Sequence, residues 1–413
     1  KASAFMAGLS HFRSGDGSDD HLADAETEEY GNKQVGFLDV WAAADADFIR
    51  EKLDAATGPD GSAWKKRPLH FGRDVQATAV FEADDTSAAE LATVIAGLFD
   101  RARERAECLE PDWARKTYCE LVLEKGLSRA TSAVQSRWNA WDDPLEESEE
   151  AARMVETLEE ICNFLDGFTL TVYLSAATDE VNILRLGFLE QLATRIVQRI
   201  RNARRKLHTQ AYVMSAALGD VVPALSKGLR ESNFEILVRR AILGVAEVGL
   251  GQLLQRIPFS SDEQVAVFVA NCRDDLAAVF TPVVQEEDLA AFQPLWDGCT
   301  LLSLPTALAA EILADLRKIA KCAPVAGTVA TPSTTLGAET TLLQREQADV
   351  YVRAGIQDLP VADAITVLGR RPDLASSMSN QESSISMLEE ILPSASATAQ
   401  ATLQRGLLRL TSE

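Results

Sequence analysis

Between Phe234 and Cys322 apolar residues recur with the period of an α-helix, and prolines cut the pattern into separate lengths. Phe234, Leu237, Val238, Ala241, Ile242 and Val245 fall at i, i+3 and i+4 spacing, the mark of a helix with one buried face. A second stripe runs through Val265, Phe268, Val269, Cys272, Leu276 and Val279, bracketed by Pro258 and Pro282. Ahead of it, Ser260 with Glu263 and Ser261 with Gln264 offer two overlapping capping boxes. LWDGCTLLSLPTALAAEILADL (295–316) continues the helical pattern. This stretch reads as a hairpin built for packing, with no catalytic constellation in it.

The same periodicity extends over most of the chain. Phe37, Trp41, Ala44 and Phe48 share a face of a helix that ends before the Gly58-Pro59-Asp60-Gly61 turn. Asp85 or Thr86 is placed to cap a helix carrying Leu91, Val94, Ile95, Leu98 and Phe99. Pro111 opens another, with Trp113, Tyr118, Leu121 and Leu127 expected to be buried. Met154, Leu158, Ile161, Cys162 and Leu165 form the next apolar face. Leu189, Leu192, Ile196, Ile200, Ala203, Leu207, Ala211, Met214 and Leu218 predict one long helix, ended by Gly219 and Pro223. Pro360 starts a late helix that Gly369 stops. TLTVYL (169–174) is the one short β-branched run. The pattern predicts an all-α chain, an elongated rod of consecutive antiparallel helical bundles.

Polar and proline-rich stretches divide it. Residues 1–32 read as the end of a helix followed by a flexible acidic loop over Ser14–Asn32. Asp16, Ser18 and Asp20 there fail the calcium-loop pattern, because His21 replaces the required glycine and Thr27 the final glutamate. Bundles are expected over 33–145, 146–282 and 283–413, with a hinge at DDPLEESEE (142–150) and a mobile loop at 323–337. A Ser-rich turn at 376–385 precedes two short helices. The chain begins at Lys1, which reads as a processed chain or a piece of a longer one.

Charge narrows the partners. The formal net charge of −22 repels phosphate backbones, so no nucleic acid is expected. The six cysteines contain no CxxC pair and sit mostly in apolar helical patterns, as reduced buried thiols do. No stretch approaches the ~20 apolar residues needed to span a bilayer. There is no GxxxxGK[ST], HExxH or GxSxG, and Gly249-Leu250-Gly251 is better explained by close helix contact than by a nucleotide loop. No enzyme activity, cofactor, metal or small-molecule substrate is expected.

One feature stands against the acidic background. Arg185, Arg195, Arg199, Arg201, Arg204, Arg205 and Lys206 crowd onto the long helix. They read either as a solvated face bridged to acidic neighbours or as a docking face for an acidic partner segment or anionic head groups. The candidate partner-docking residues are Arg195, Arg199, Arg201, Arg204, Arg205 and Lys206.

Several landmarks, taken in order, resemble the C-terminal part of the RINT/Tip family, tethering subunits of the Dsl (NRZ) complex of the endoplasmic reticulum (ER). They are Phe37-Leu38 and Trp41, then Glu51-Lys52-Leu53-Asp54 and Trp64. Next come Leu253-Leu254 with Phe259, then Arg273-Asp274-Asp275-Leu276 and Phe280, then Gly298-Cys299-Thr300-Leu301-Leu302-Ser303-Leu304 before Ala309–Leu316. Gly355-Ile356, Asp363-Ala364, Val367-Leu368, Arg371 and Asp373-Leu374 close the series. Asp262-Glu263 stand where the family has Gly-Gly, and Gln357 where it has tyrosine. The helix to Phe280 is one residue longer.

The resemblance implies a CATCHR-type stack of helical bundles, peripheral on the cytosolic face of the ER membrane. It implies capture of retrograde Golgi-derived vesicles through SNAREs and sister tether subunits, with the complex-joining part upstream of Lys1. Alternatives are another helical-rod tether, such as an exocyst or Golgi-tether subunit, or a self-assembling helical protein such as a viral shell or organelle-complex subunit.

Overall fold

In a computed structural model of the chain, residues 23–58, 64, 88–110, 112–255, 257–322 and 336–374 are described, without the side chains of 23–37, 322 and 336–343. All regular structure among them is helical: the chain is all-α. The readings at 1–22, at Asp85 and Thr86, at 323–335 and after residue 374 lie outside the described residues. Two units are distinguished. The first takes residues 1–65, 90–134 and 161–181; the second takes 66–89, 135–160 and 182–413.

In the first unit, α1 (Ala23–Thr57) packs with α2 (Glu90–Glu107) and with α3 (Asp112–Tyr118), which runs through a π-helical turn (Cys119–Glu124) into α4 (Lys125–Asn139), whose residues from 135 on belong to the second unit. Tyr118 and Leu127 are buried as expected, whereas Trp113, at the start of α3, is exposed. α1 starts inside the expected acidic loop, so residues 23–32 are helical. Its buried stripe is Leu38, Ala42, Asp45, Ile49 and Leu53, not the aromatic one read from sequence. Trp41 is half-buried and Phe48 lies at the surface beneath Lys52. The reason is Asp45. Its carboxylate accepts from the Tyr118 hydroxyl at 2.8 Å and pairs with Arg105, so a charged position can face inward. Burial pushes the Tyr118 hydroxyl up to about 12, which keeps it a donor.

The second unit is built around α9 (Glu231–Leu253). The residues from Phe234 to Val245 that set its expected face are all buried. α5 (Ser148–Asp166) and α6 (Thr171–Ala203) each give residues to both units. TLTVYL lies largely in the first turn of α6, so Thr171 and Val172 are helical and Thr169 sits in the turn before them. α6 stops at Ala203, short of the expected Leu218. A 3₁₀ segment (Arg204–His208) comes next, then a turn, then α7 (Val213–Leu218) and α8 (Val221–Gly228).

After α9 the hairpin forms α10 (Asp262–Val269), a π-helical turn (Ala270–Asp275) and α11 (Leu276–Phe280). The second capping pair is the one used. Ser261 Oγ accepts from Gln264 N at 3.3 Å, while Gln264 Oε1 accepts from Ser260 N at 3.1 Å. A π turn holds one more residue than an α turn, and Phe268 before it and Phe280 after it are both in the core.

α12 (Glu286–Leu289) and a 3₁₀ turn lead to α13 (Gln293–Ser303). Then come α14 (Thr306–Cys322), α15 (Leu336–Ala354) and α16 (Val361–Gly369). α13 packs on α9 through glycines: a Cβ on Gly249 would sit 2.6 Å from Leu295 Cδ2, and one on Gly298 would overlap Leu253. Gly355, at φ +70°, ends α15. Ile356 N bonds Tyr351 O at 3.0 Å and Gly355 N bonds Val352 O at 3.2 Å, the Schellman pattern.

These contacts predict opposite outcomes for two glycines of similar sequence context. Gly298→Ala should lower stability by about 1–3 kcal/mol through overpacking. Gly251→Ala, with open space at its Cβ, should raise it by up to ~1 kcal/mol. Denaturant melts of the two variants check both signs.

Candidate functional site

A helix leaves its first four N–H and last four C=O groups unbonded, and the second unit satisfies many of these with side chains from distant helices. Asp297 of α13 accepts from Gln357, Asp358 and Leu359 N at 2.9, 2.6 and 3.1 Å. Arg371 Nη1 donates to the closing carbonyls of α13 at Leu301, Leu302 and Leu304, and its fork holds Asp373, whose carboxyl it pulls down to about 2. Arg370 does the same for α9, donating to Gln252 O, to Leu253 O at 2.7 Å and to Ile257 O at 2.8 Å, with its guanidinium 4.2 Å over the Phe259 ring. Burial lowers Arg370 to about 10, so it stays charged at neutral pH.

Glu156, buried in α5, accepts from Arg230 N and Asn233 Nδ2, both at 2.8 Å, and faces the Arg230 guanidinium at 3.3 Å. Burial raises its pKa against those favourable contacts. These charged groups serve the fold.

The candidate site lies at the end of α6. Two basic residues of the run are tied down: Arg185 to Glu159 at 3.6 Å and Asn233 at 2.6 Å, and Arg199 to Asp143 at 3.0 Å. Asp143 belongs to the expected hinge, whose Leu145 is buried. Arg195, Arg201, Arg204, Arg205 and Lys206 are exposed, and none forms an ion pair with a described residue. The candidates do not share one face. Arg195 and Arg199 lie one turn apart, whereas Arg201 is about 200° around the helix from Arg199. Arg201, in the last turn of α6, is followed at once by Arg204, Arg205 and Lys206 in the 3₁₀ segment, a second group close along the chain.

The backbone just beyond this group is rigidly held. Leu207 is buried, and His208 stacks on Phe268 with centroids 4.9 Å apart and planes at 13°. Burial, and then the charge of Arg370, lower the His208 pKa, so the ring is neutral at pH 7. Asn271, on the π turn, donates to Leu207 O at 3.1 Å and Gln210 O at 2.6 Å and accepts from Val213 N at 3.1 Å. Asp275, one turn on, accepts from Met214 N at 2.7 Å and Ser215 N at 3.2 Å, capping α7 from another helix.

Between these clamps Tyr212 takes φ 60°, ψ 33°, the left-handed conformation, with its side chain 73% exposed. That conformation costs a non-glycine residue about 1–2 kcal/mol. The charge-assisted bonds to Asp275, about 1.5–3 kcal/mol each, offset it. The Arg run is visible in the sequence, but Tyr212 is not. The available signal was Asn271 and Asp275, polar residues on the inward side of an apolar stripe.

Among the described residues no group of three His, Cys, Asp or Glu is placed to hold a metal, and no helix is long and apolar enough to cross a membrane. Cys119, Cys162, Cys272 and Cys299 are buried and Cys108 is exposed. Burial drives Cys272 well above the usual thiol range and Cys299 to about 12. The chain matches no protein-family model, no curated protein and no solved structure.

One buried acid is left short of partners. Asp363, in the first turn of α16, has no hydrogen bond to Oδ2, and burial raises its pKa from 3.8 to about 6. The folded state therefore takes this proton first. Its charge opposes folding above about pH 6, and the penalty fades as pH falls toward 3.8. Asp363→Asn should stabilise the protein by roughly 1–3 kcal/mol at pH 8, a gain that vanishes near pH 4 in melts across that range.

Proposed function

We propose that this chain is a non-enzymatic subunit of a multisubunit tethering complex of the RINT/Tip type. It works on the cytosolic face of the ER, where it helps capture retrograde Golgi-derived vesicles by binding SNAREs and sister tether subunits. The observation that carries the reading is where the ordered landmarks meet. Phe259 lies under Arg370, Arg371 holds the end of the Gly298–Leu304 helix, and Asp297 receives the three amides just after Gly355-Ile356. The Arg371 contact joins two of the landmarks directly, and Arg370 and Asp297 are the sequence neighbours of the landmarks Arg371 and Gly298.

The all-helical build and the use of buried charges for helix ends suit a scaffold whose work is contact. Affinity purification of the tagged chain from its own cells, followed by mass spectrometry, tests the reading. Recovery of ER SNAREs together with two other tether subunits is expected. Clean absence of both would sink it.

A further inference from the structure

From the end of α6 we infer a docking site for an acidic peptide segment of a partner protein, formed by Arg201, Arg204, Arg205, Lys206 and Tyr212. The site does not depend on the partner's being a SNARE or a tether subunit.

Three observations converge on it. The first is uncompensated charge. The chain carries −22 overall, yet these four cations have no described acidic partner, while Arg185 and Arg199 earlier on the same helix do. Three guanidinium groups within five residues, across the end of α6 and the 3₁₀ segment, repel one another. The negative end of the α6 dipole explains why cations gather at this end, but it is screened within a turn and does not neutralise three of them. A counter-charge from outside the unit would.

The second is pre-organisation. Segment 204–212 is fixed from beneath by buried groups, with Leu207 in the core, His208 on Phe268 and Asn271 bonded to the backbone at Leu207, Gln210 and Val213. Thr209 N and Gln210 N both bond Lys206 O, closing the turn. A rigid backbone presenting flexible cations loses little ordering entropy on binding.

The third is Tyr212, an exposed aromatic residue held in a backbone conformation that glycine would adopt without strain. Tyrosine and arginine are the residue types enriched at interface hot spots, and Tyr212 follows the cations closely in the chain.

Geometry favours an acidic peptide over a membrane. Guanidinium forks match carboxylate oxygens in pairs, and clustered arginines recognise acidic motifs in this way. An anionic bilayer presents a broad plane, which would also meet acidic side chains next to the cluster. α10 packs on the 3₁₀ segment and carries exposed Asp262 and Glu263 in its first turn. A single extended acidic strand can follow the cations and avoid those carboxylates.

The test uses the full chain and a fluorescein-labelled peptide of alternating Glu and Ser, read by anisotropy. Vesicles of phosphatidylcholine with phosphatidylserine are run in parallel. Arg201→Glu/Arg204→Glu/Arg205→Glu should weaken peptide binding at least tenfold. Arg101→Glu/Lys125→Glu/Lys227→Glu, which changes net charge equally at exposed positions elsewhere, should leave it within twofold. Should the first triple variant fail to fold, Arg204→Gln/Arg205→Gln gives the same comparison with a smaller loss. Tyr212→Gly separates binding from structure: relief of the backbone should raise Tm, while peptide affinity falls about threefold or more. Equal losses in both triple variants, or unchanged affinity in Tyr212→Gly, would overturn the site. So would charge-dependent vesicle binding without peptide binding, which would assign the cluster to membranes.

Discussion

Unsatisfied helix ends are the constraint on which this protein depends. Each short helix adds orphan donors and acceptors, and a chain of many short helices accumulates more of them than water at the surface can serve. In the second unit the answer is consistent. A buried Asp, Asn, Glu or Arg reaches the terminus of a distant helix, as Asp275, Asn271, Glu156, Arg370 and Arg371 do, and Asp297 serves the connection between α15 and α16 in the same way. Each such bond does two jobs, since it satisfies a backbone group and fixes which helices are neighbours. Apolar stripes bring helices together, and these polar contacts set their ends in register.

That division of labour explains what could be read from residues alone. The face of α9, the prolines around α10–α11, the Ser261–Gln264 cap and the close approach at Gly249 all stem from local pattern, and the structure contains them. The stripe of α1 was misread because aromatic residues outweighed Asp45, whose place inside depends on Tyr118 and Arg105, 73 and 60 residues away. The apolar pattern through Leu218 is real, and Leu207, Met214 and Leu218 are buried. It could not reveal that the backbone turns between them, because the turn is held by Asn271 and Asp275 from another helix.

The candidate site shows the same limit. A run of arginines is plain in any acidic sequence, and it is compatible with both a solvated face and a docking face. The structure separates the residues by pairing: Arg199 is bridged to Asp143, whereas Arg201, Arg204 and Arg205 form no ion pair with a described residue. Tyr212 had no signature at all. An aromatic residue after a polar stretch looks like the start of the next apolar face, and here it is left outside.

Arg370 carries a consequence for how the protein is made. It completes the end of α9 from 118 residues further along the chain. At ~5–20 residues per second, a ribosome needs roughly 6–24 s to cover that distance. During that interval the carbonyls at Gln252 and Leu253 face water or a chaperone, and the pocket around Phe259 stands open. Arg371 imposes a shorter wait of the same kind on α13, and since the two are consecutive, both waits end together. The central hairpin, legible as it is in sequence, is therefore finished by nearly the last described residues to emerge.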